Sequence, residues 1–301
     1  MVAEMTRTPA ASSSLEEAQA WCKQYTKDRA KNFYYAFAIL PQAKRNAIYA
    51  VYAFSGLVDD IADELTDRTE QEKQLAEARS ALEAAAQPEG TREGPLYTAL
   101  GAAFDDFHVP LEFLEELVNG VEMDFTINRY ATWDELRQYC YRVASMVGLI
   151  CTSIFGARDT ENARRYAIHM GIALQIVNIM RDVAEDAERG RVYFPIDDLA
   201  RHGLKPDDIL AGTYNEGFRA LMEEYGTRAR KHFRSGRRLL PLLDMRSRMC
   251  VNVLQGVYRA ILSDIEKRNY DVMTERVSLG TAHKLALIGG LWVDAALVRP
   301  K

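Results

Sequence analysis

Two groups of aspartates, more than a hundred residues apart, have the most chemistry to offer in this sequence. The first lies in "LVDDIADE", where Asp59, Asp60, Asp63 and Glu64 end an apolar and aromatic run. If Gln42 to Glu64 is one helix, residues four apart share a face, so Asp59 and Asp63 stack. Their stripe runs back through Ser55 and Gly56, Tyr52, and Ile48 or Tyr49. Taken alone, the cluster reads equally well as the solvated end of a core helix or as a metal site. A helix C-terminus disfavours negative charge, so a positive group is expected nearby.

The second group is "LQIVNIMRDVAEDAERGRVYFP", with Gln175, Asn178, Asp182 and Asp186 at helical spacing on one face. Arg181 and Glu185 flank them, and Ile176, Val177, Ile179, Met180 and Val183 fill the other faces. An unpaired buried amide costs about 1–3 kcal/mol, so this polar stripe is expected to line an internal, wet, charged cavity. If both sets face that cavity, their carboxylates repel one another unless cations lie between them. Hard oxygen donors favour Mg²⁺ or Mn²⁺. Mg²⁺ keeps waters and shares itself with substrate phosphates, so a phosphorylated substrate is expected. The flanking Arg189, Arg191 and Tyr193 read either as a flap over that phosphate or as a plain helix exit.

The elements that must carry these residues read as helices throughout. Alternating apolar and polar runs are missing. Pro41 and Pro110 mark helix starts, and Thr132 with Glu135 forms a capping-box pattern. The sequence predicts one all-α domain of roughly ten helices over residues 15–301, preceded by a disordered tail at 1–14. Its 301 residues are 48% hydrophobic, enough for a large core. A net charge of -5 and a pI near 5.7 argue against a nucleic-acid partner. The four cysteines lack metal spacing and suit a reduced cytoplasmic protein. No run reaches the roughly 18 apolar residues that span a bilayer. The C-terminal "LALIGGLWVDAALV" offers at most a peripheral membrane contact. The five histidines read as isolated surface or loop residues, and the basic run Arg228–Arg238 as a solvated helix face rather than a membrane contact. Oligomeric state is not legible.

The chain resembles the squalene/phytoene synthase family from about Ala18 to about Val293. The match lies in "NFYYAFAILPQAKRNAIYAVYAFSGLVDDIADE", "YCYRVASMVGLI", the second aspartate stretch and "NYDVMTERV". The resemblance implies an all-α prenyl-synthase fold around a central cavity, with Asp59, Asp63, Asp182 and Asp186 as metal ligands. It implies roles for Gln175 and Asn178 beside the second set. Tyr52, Tyr139, Arg181, Tyr258 and Arg276 then fall at the diphosphate or the reacting centre, and Phe33 and Phe37 along the prenyl pocket. Three positions depart from the family pattern: Gly56 stands where an Arg is common, Asn32 where a Ser is, and Ser145 where a Gly is. The lost Arg implies weaker diphosphate binding or compensation by Lys31, Arg29 or Arg45.

The implied reaction is head-to-head condensation of two prenyl diphosphates through a cyclopropyl diphosphate. Phe37 on the cavity floor favours two farnesyl diphosphates and a C30 product. The alternatives are phytoene synthesis from two geranylgeranyl diphosphates and a non-catalytic helical metal-binding or partner subunit. Reduction by NADPH is open, since no GxGxxG follows a strand but the family does not use that fold for it.

Overall fold

The computed structural model describes residues 14–29, 31–65, 67–280, 287 and 289–291, with the side chains of 31–33 and 64 set aside. The expected tail lies outside the described residues except for Ser14, which caps the first helix: its hydroxyl accepts from the Glu17 N–H while Glu17 reaches back to the Ser14 N–H. Most of "LALIGGLWVDAALV" lies outside as well, as does the side chain of Phe33.

Fourteen α-helices make up the described architecture, more than the ten expected. They are α1 (Leu15–Arg29), α2 (Lys31–Phe37), α3 (Gln42–Glu64), α4 (Arg68–Ala86), α5 (Gly94–Phe107), α6 (Leu111–Thr126), α7 (Trp133–Cys140) and α8 (Met146–Phe155). Then follow α9 (Thr160–Arg181), α10 (Val183–Glu188), α11 (Ile196–Arg201), α12 (Pro206–Leu210), α13 (Glu216–Gly236) and α14 (Met245–Lys267). The excess comes from breaks inside segments that read as continuous. A π-helical stretch, Tyr141–Ser145, joins α7 to α8, and a 3₁₀ turn, Arg237–Leu242, joins α13 to α14. Among the described residues no strand forms, only two isolated bridges.

Local chemistry explains the starts. Gln42 and Leu111 open α3 and α6 directly after Pro41 and Pro110, whose missing N–H costs a first turn nothing. Thr132 caps α7 by accepting from the Glu135 N–H, and the Glu135 carboxylate accepts from Ala131 rather than from the cap residue itself. Asp159 and Asp244 cap α9 and α14 in the same way.

The buried core is continuous and runs between α3, α6, α8, α9 and α14. Helix α9 lies at its centre, packed on α13, α8, the π stretch and α14. Gly171 makes this approach possible: a Cβ there would stand 2.6 Å from the Ala144 carbonyl oxygen and the Ser145 Cα. Ser145 is fully buried and donates to the Ile168 carbonyl at 3.0 Å, so the residue departing from the family pattern cross-links the π stretch to α9.

Candidate active site

Helices α3, α6, α9 and α14 enclose a cavity of about 490 Å³. One end is acidic, lined by Asp59, Asp63, Asp124, Asp182 and Asp186. The other is apolar and includes Phe37, Phe155, Met170, Leu239, Val251 and Leu254. Both aspartate sets therefore face one hollow. Tyr52, Tyr139, Gln175, Asn178, Arg181, Arg189, Arg191, Tyr193 and Tyr258 line it too.

The second set is not on one unbroken helix. Helix α9 ends at Arg181, and Asp182 sits at the junction with φ -102° and ψ 13°. Asp186 stays one turn away because its N–H still donates to the Asp182 carbonyl at 2.9 Å. The break turns the Arg181 side chain onto its neighbour, with Nε and Nη2 donating to Asp182 at 2.8 and 2.5 Å. From the closing segment Arg276 adds a bond to Asp182 at 2.9 Å and an ion pair to Glu185 at 3.2 Å. Burial opposes the Asp182 charge, but these two guanidinium groups hold its carboxyl below the usual range.

The acids were expected to need metal cations between them; in this structure arginines hold two of the four. Arg189 and Arg191 donate to Asp63 at 2.9 and 3.1 Å, tying the chain after α10 to α3. Gly190, at φ 72°, makes the reversal that presents them. Asp59 and Asp186 differ. Among the described residues neither carboxylate has a hydrogen-bond or ion-pair partner. Cavity water reaches Asp59, yet protein surrounds it, and burial together with Asp63, Asp124 and Asp60 pushes it up to about 7. Burial and Asp182 push Asp186 up to about 7 as well.

Asp124 on α6 was missed by the sequence reading. It accepts from Tyr139 Oη at 3.0 Å and Tyr193 Oη at 2.9 Å, and the two hydroxyls are 3.3 Å apart. Their rings stack at 5.2 Å. Burial raises Asp124 to about 6 against the opposing pull of Arg191 and the two hydroxyls. The signal was present: Leu117, Val121 and Asp124 form one stripe of α6, an acid continuing an apolar face.

Tyr258 is buried and takes hydrogen bonds from Asn178 and Arg181, while burial keeps its hydroxyl protonated. Asn178 donates to Gln175 at 3.2 Å, but its buried Oδ1 has no partner among the described residues. Phe37 packs edge-on against Tyr52, with ring centroids 6.4 Å apart.

Gly56 has a packing explanation. A Cβ there would stand 2.4 Å from the Tyr25 hydroxyl, so the missing side chain makes room for α1. Arg29 lies over the Tyr25 ring at 5.5 Å and grips Asp60 with two bonds of 2.5 Å. The positive group expected at the end of α3 is thus Arg29, aided by Arg189 and Arg191. Arg45 instead donates to the Ala38 carbonyl, and the Lys31 side chain is outside the described set. The histidines are not all isolated: His169 and His232 meet Nδ1 to Nδ1 at 2.9 Å between α9 and α13, a contact invisible to linear spacing.

Among the described residues no three acidic, His or Cys side chains converge tightly enough to hold an ion alone. Two open carboxylates and an unpartnered amide oxygen fit a hard divalent cation that completes its shell with water and phosphate oxygen. No helix among the described residues is long and apolar enough to cross a membrane.

Residues 26–283 match the sequence model of a family described as squalene/phytoene synthase. The chain is 34% identical over 300 residues to a 15-cis-phytoene synthase from Synechocystis, covering 95% of this chain and 88% of that one. It is 37% identical over 276 residues to a phytoene synthase from Mycobacterium tuberculosis, covering 90% and 89%. A crystal structure of squalene synthase HpnC from Alicyclobacillus acidocaldarius superposes with TM-score 0.79 at 30% identity, covering 88% of this chain and 98% of that chain. A dehydrosqualene synthase in complex with ligand gives TM-score 0.86 at 26% identity, covering 94% and 98%.

Proposed function

The chain belongs to the squalene/phytoene synthase family of prenyltransferases, and from that premise we propose that this cavity joins two prenyl diphosphates head to head through a cyclopropyl diphosphate. One observation carries the reading: both aspartate sets open on one cavity whose far end is apolar, with Asp59 and Asp186 unpartnered among the described residues. We assign Asp59, Asp63, Asp182 and Asp186 to Mg²⁺, with Mn²⁺ as a substitute. When bound there, the metal supplies the charge that draws diphosphate from an allylic carbon.

The chain's own groups do the rest. Arg189 and Arg191 sit on Asp63 and Arg276 on Asp182, carboxylates that would hold the cation, and their donors would then be free for phosphate oxygens. Arg181 and Tyr258 stay paired and brace the wall of the cavity beside Asp182. The apolar end holds the prenyl tails and keeps water from the allylic cation. The ring faces of Tyr52 and Phe37 stabilise that cation. The hydroxyl of Tyr139 takes the proton lost on ring closure while passing its own to Asp124.

Phe37 in the cavity wall favours the 15-carbon tail and a C30 product. The phytoene synthases at 34–37% identity favour a second reading, two geranylgeranyl diphosphates. We place the enzyme in the cytoplasm, in keeping with its free and mostly buried thiols. Incubation with each diphosphate and Mg²⁺ or Mn²⁺, with and without NADPH, followed by lipid extraction, separates these products. It also settles whether NADPH reduces the intermediate. Absence of diphosphate release with either metal would leave the non-catalytic reading.

A further inference from the structure

The apolar end of the cavity lies under an unusually basic surface. Its wall includes Ala167 and Met170 of α9, Leu239 of the 3₁₀ turn and Val251 of α14. Gly236 lets the α13 backbone close on Met170, since a Cβ there would stand 3.0 Å from that side chain. The same elements carry the charge outward: Leu239 faces the cavity while its neighbour Arg238 is exposed.

Residues 157–168 and 231–248 contain nine bases against three acids, in a chain whose net charge is -5. The two segments meet in space. The Arg158 N–H donates to the Leu242 carbonyl at 3.1 Å, Arg165 and Arg238 both reach the Tyr166 hydroxyl, and Arg165 and Lys231 both act on His169. Most arginines elsewhere are paired, as Arg228 is with Asp198 and Glu224, and Arg230 with Glu266. By contrast, Arg164, Arg165, Lys231, Arg234, Arg238 and Arg246 are exposed, and among the described residues none has a carboxylate at ion-pair distance. Met245, 56% exposed, adds an apolar tip beside them.

We propose that this face docks on an anionic lipid surface and sets the apolar end of the cavity against the bilayer. Exposed like charges at this density repel one another, and a layer of anionic lipid headgroups complements them. An uncharged hydrocarbon leaving the cavity has no favourable path through water, and the bilayer gives it one. Only this last argument rests on the proposed condensation; the charge distribution stands without it.

The test uses the full-length protein and sedimentation with vesicles of phosphatidylcholine, alone or mixed with phosphatidylglycerol. Binding is expected to the mixed vesicles only and to fall as salt rises. Each basic residue near an anionic surface contributes about fivefold in partition. Arg165→Gln with Arg238→Gln should therefore lower binding by about 25-fold, and Arg165→Glu, Lys231→Glu, Arg234→Glu and Arg238→Glu together should remove it. Lys73→Glu on α4 is the control and should change binding little. Equal binding to both vesicle types, no binding to either, or undiminished binding by the double glutamine variant would each overturn the proposal. Diphosphate release measured in detergent without vesicles keeps the two readings apart. Release without vesicle binding sinks this face alone, and vesicle binding without release sinks the condensation alone.

Discussion

At the scale of single residues, the carboxylates divide by what surrounds them. Asp63 and Asp182 are neutralised by arginines, whereas Asp59 and Asp186 stay open, with carboxyls raised to about 7. Asp59→Asn and Asp186→Asn each remove a proposed metal ligand without emptying core volume. Each should lower diphosphate release at least a hundredfold while the circular dichroism spectrum stays unchanged. Near-normal rates in either variant would remove that acid from the metal site. Removal of metal by chelation should stop the reaction, and Mn²⁺ should restore it. The two DxxxD sets were legible because helical spacing alone stacks their carboxylates. Asp124 was not, because a lone acid has no spacing to read; only the fold brings Tyr139 and Tyr193 onto it.

At the scale of elements, the cavity depends on how closely the helices around α9 approach. Gly171→Ala should push α9 off the π stretch and cost about 1–3 kcal/mol, measured by urea denaturation, because the obstacle is backbone that cannot rotate away. Asp198 anchors the segment that follows Arg191. It is buried and accepts from Tyr225, Arg201 and Arg228. Asp198→Ala leaves the buried Tyr225 hydroxyl without its acceptor, while Arg228 keeps Glu224 at 2.8 Å, and should cost about 1–3 kcal/mol. Helix starts were legible from Pro41, Pro110 and Thr132, whose chemistry is local. The break at Asp182 and the π stretch at Tyr141–Ser145 were not, because each answers to a tertiary contact: Arg276 from the far end of the chain, and Gly171 from the neighbouring helix.

At the scale of the whole molecule, the acidic end of the cavity stores repulsion. Asp59, Asp124 and Asp186 all have folded-state values raised above those of an unfolded chain, to about 7, 6 and 7. A raised acid stabilises the fold at low pH and loses that contribution as pH climbs through the folded value. Metal-free protein should therefore melt at a higher temperature at pH 5 than at pH 8, and Mg²⁺ should restore most of the difference at pH 8. Calorimetry with and without chelator checks both signs. The all-α class was legible from periodicity. The two acid sets suggested convergence only as a condition, which the family resemblance then implied; the basic run of α13 was legible as a solvated face, but its meeting with the bases of α9 was not, because it joins segments distant in sequence.

The central claim is that acids from α3 and from the α9–α10 junction share one set of divalent ions with a diphosphate. Anomalous diffraction from crystals soaked in Mn²⁺ and inorganic diphosphate tests it directly. The account predicts manganese peaks inside the cavity, bound by Asp59 on one side and Asp186 on the other, with diphosphate between them. Manganese confined to a single aspartate set, or diphosphate bound outside the cavity, would contradict it.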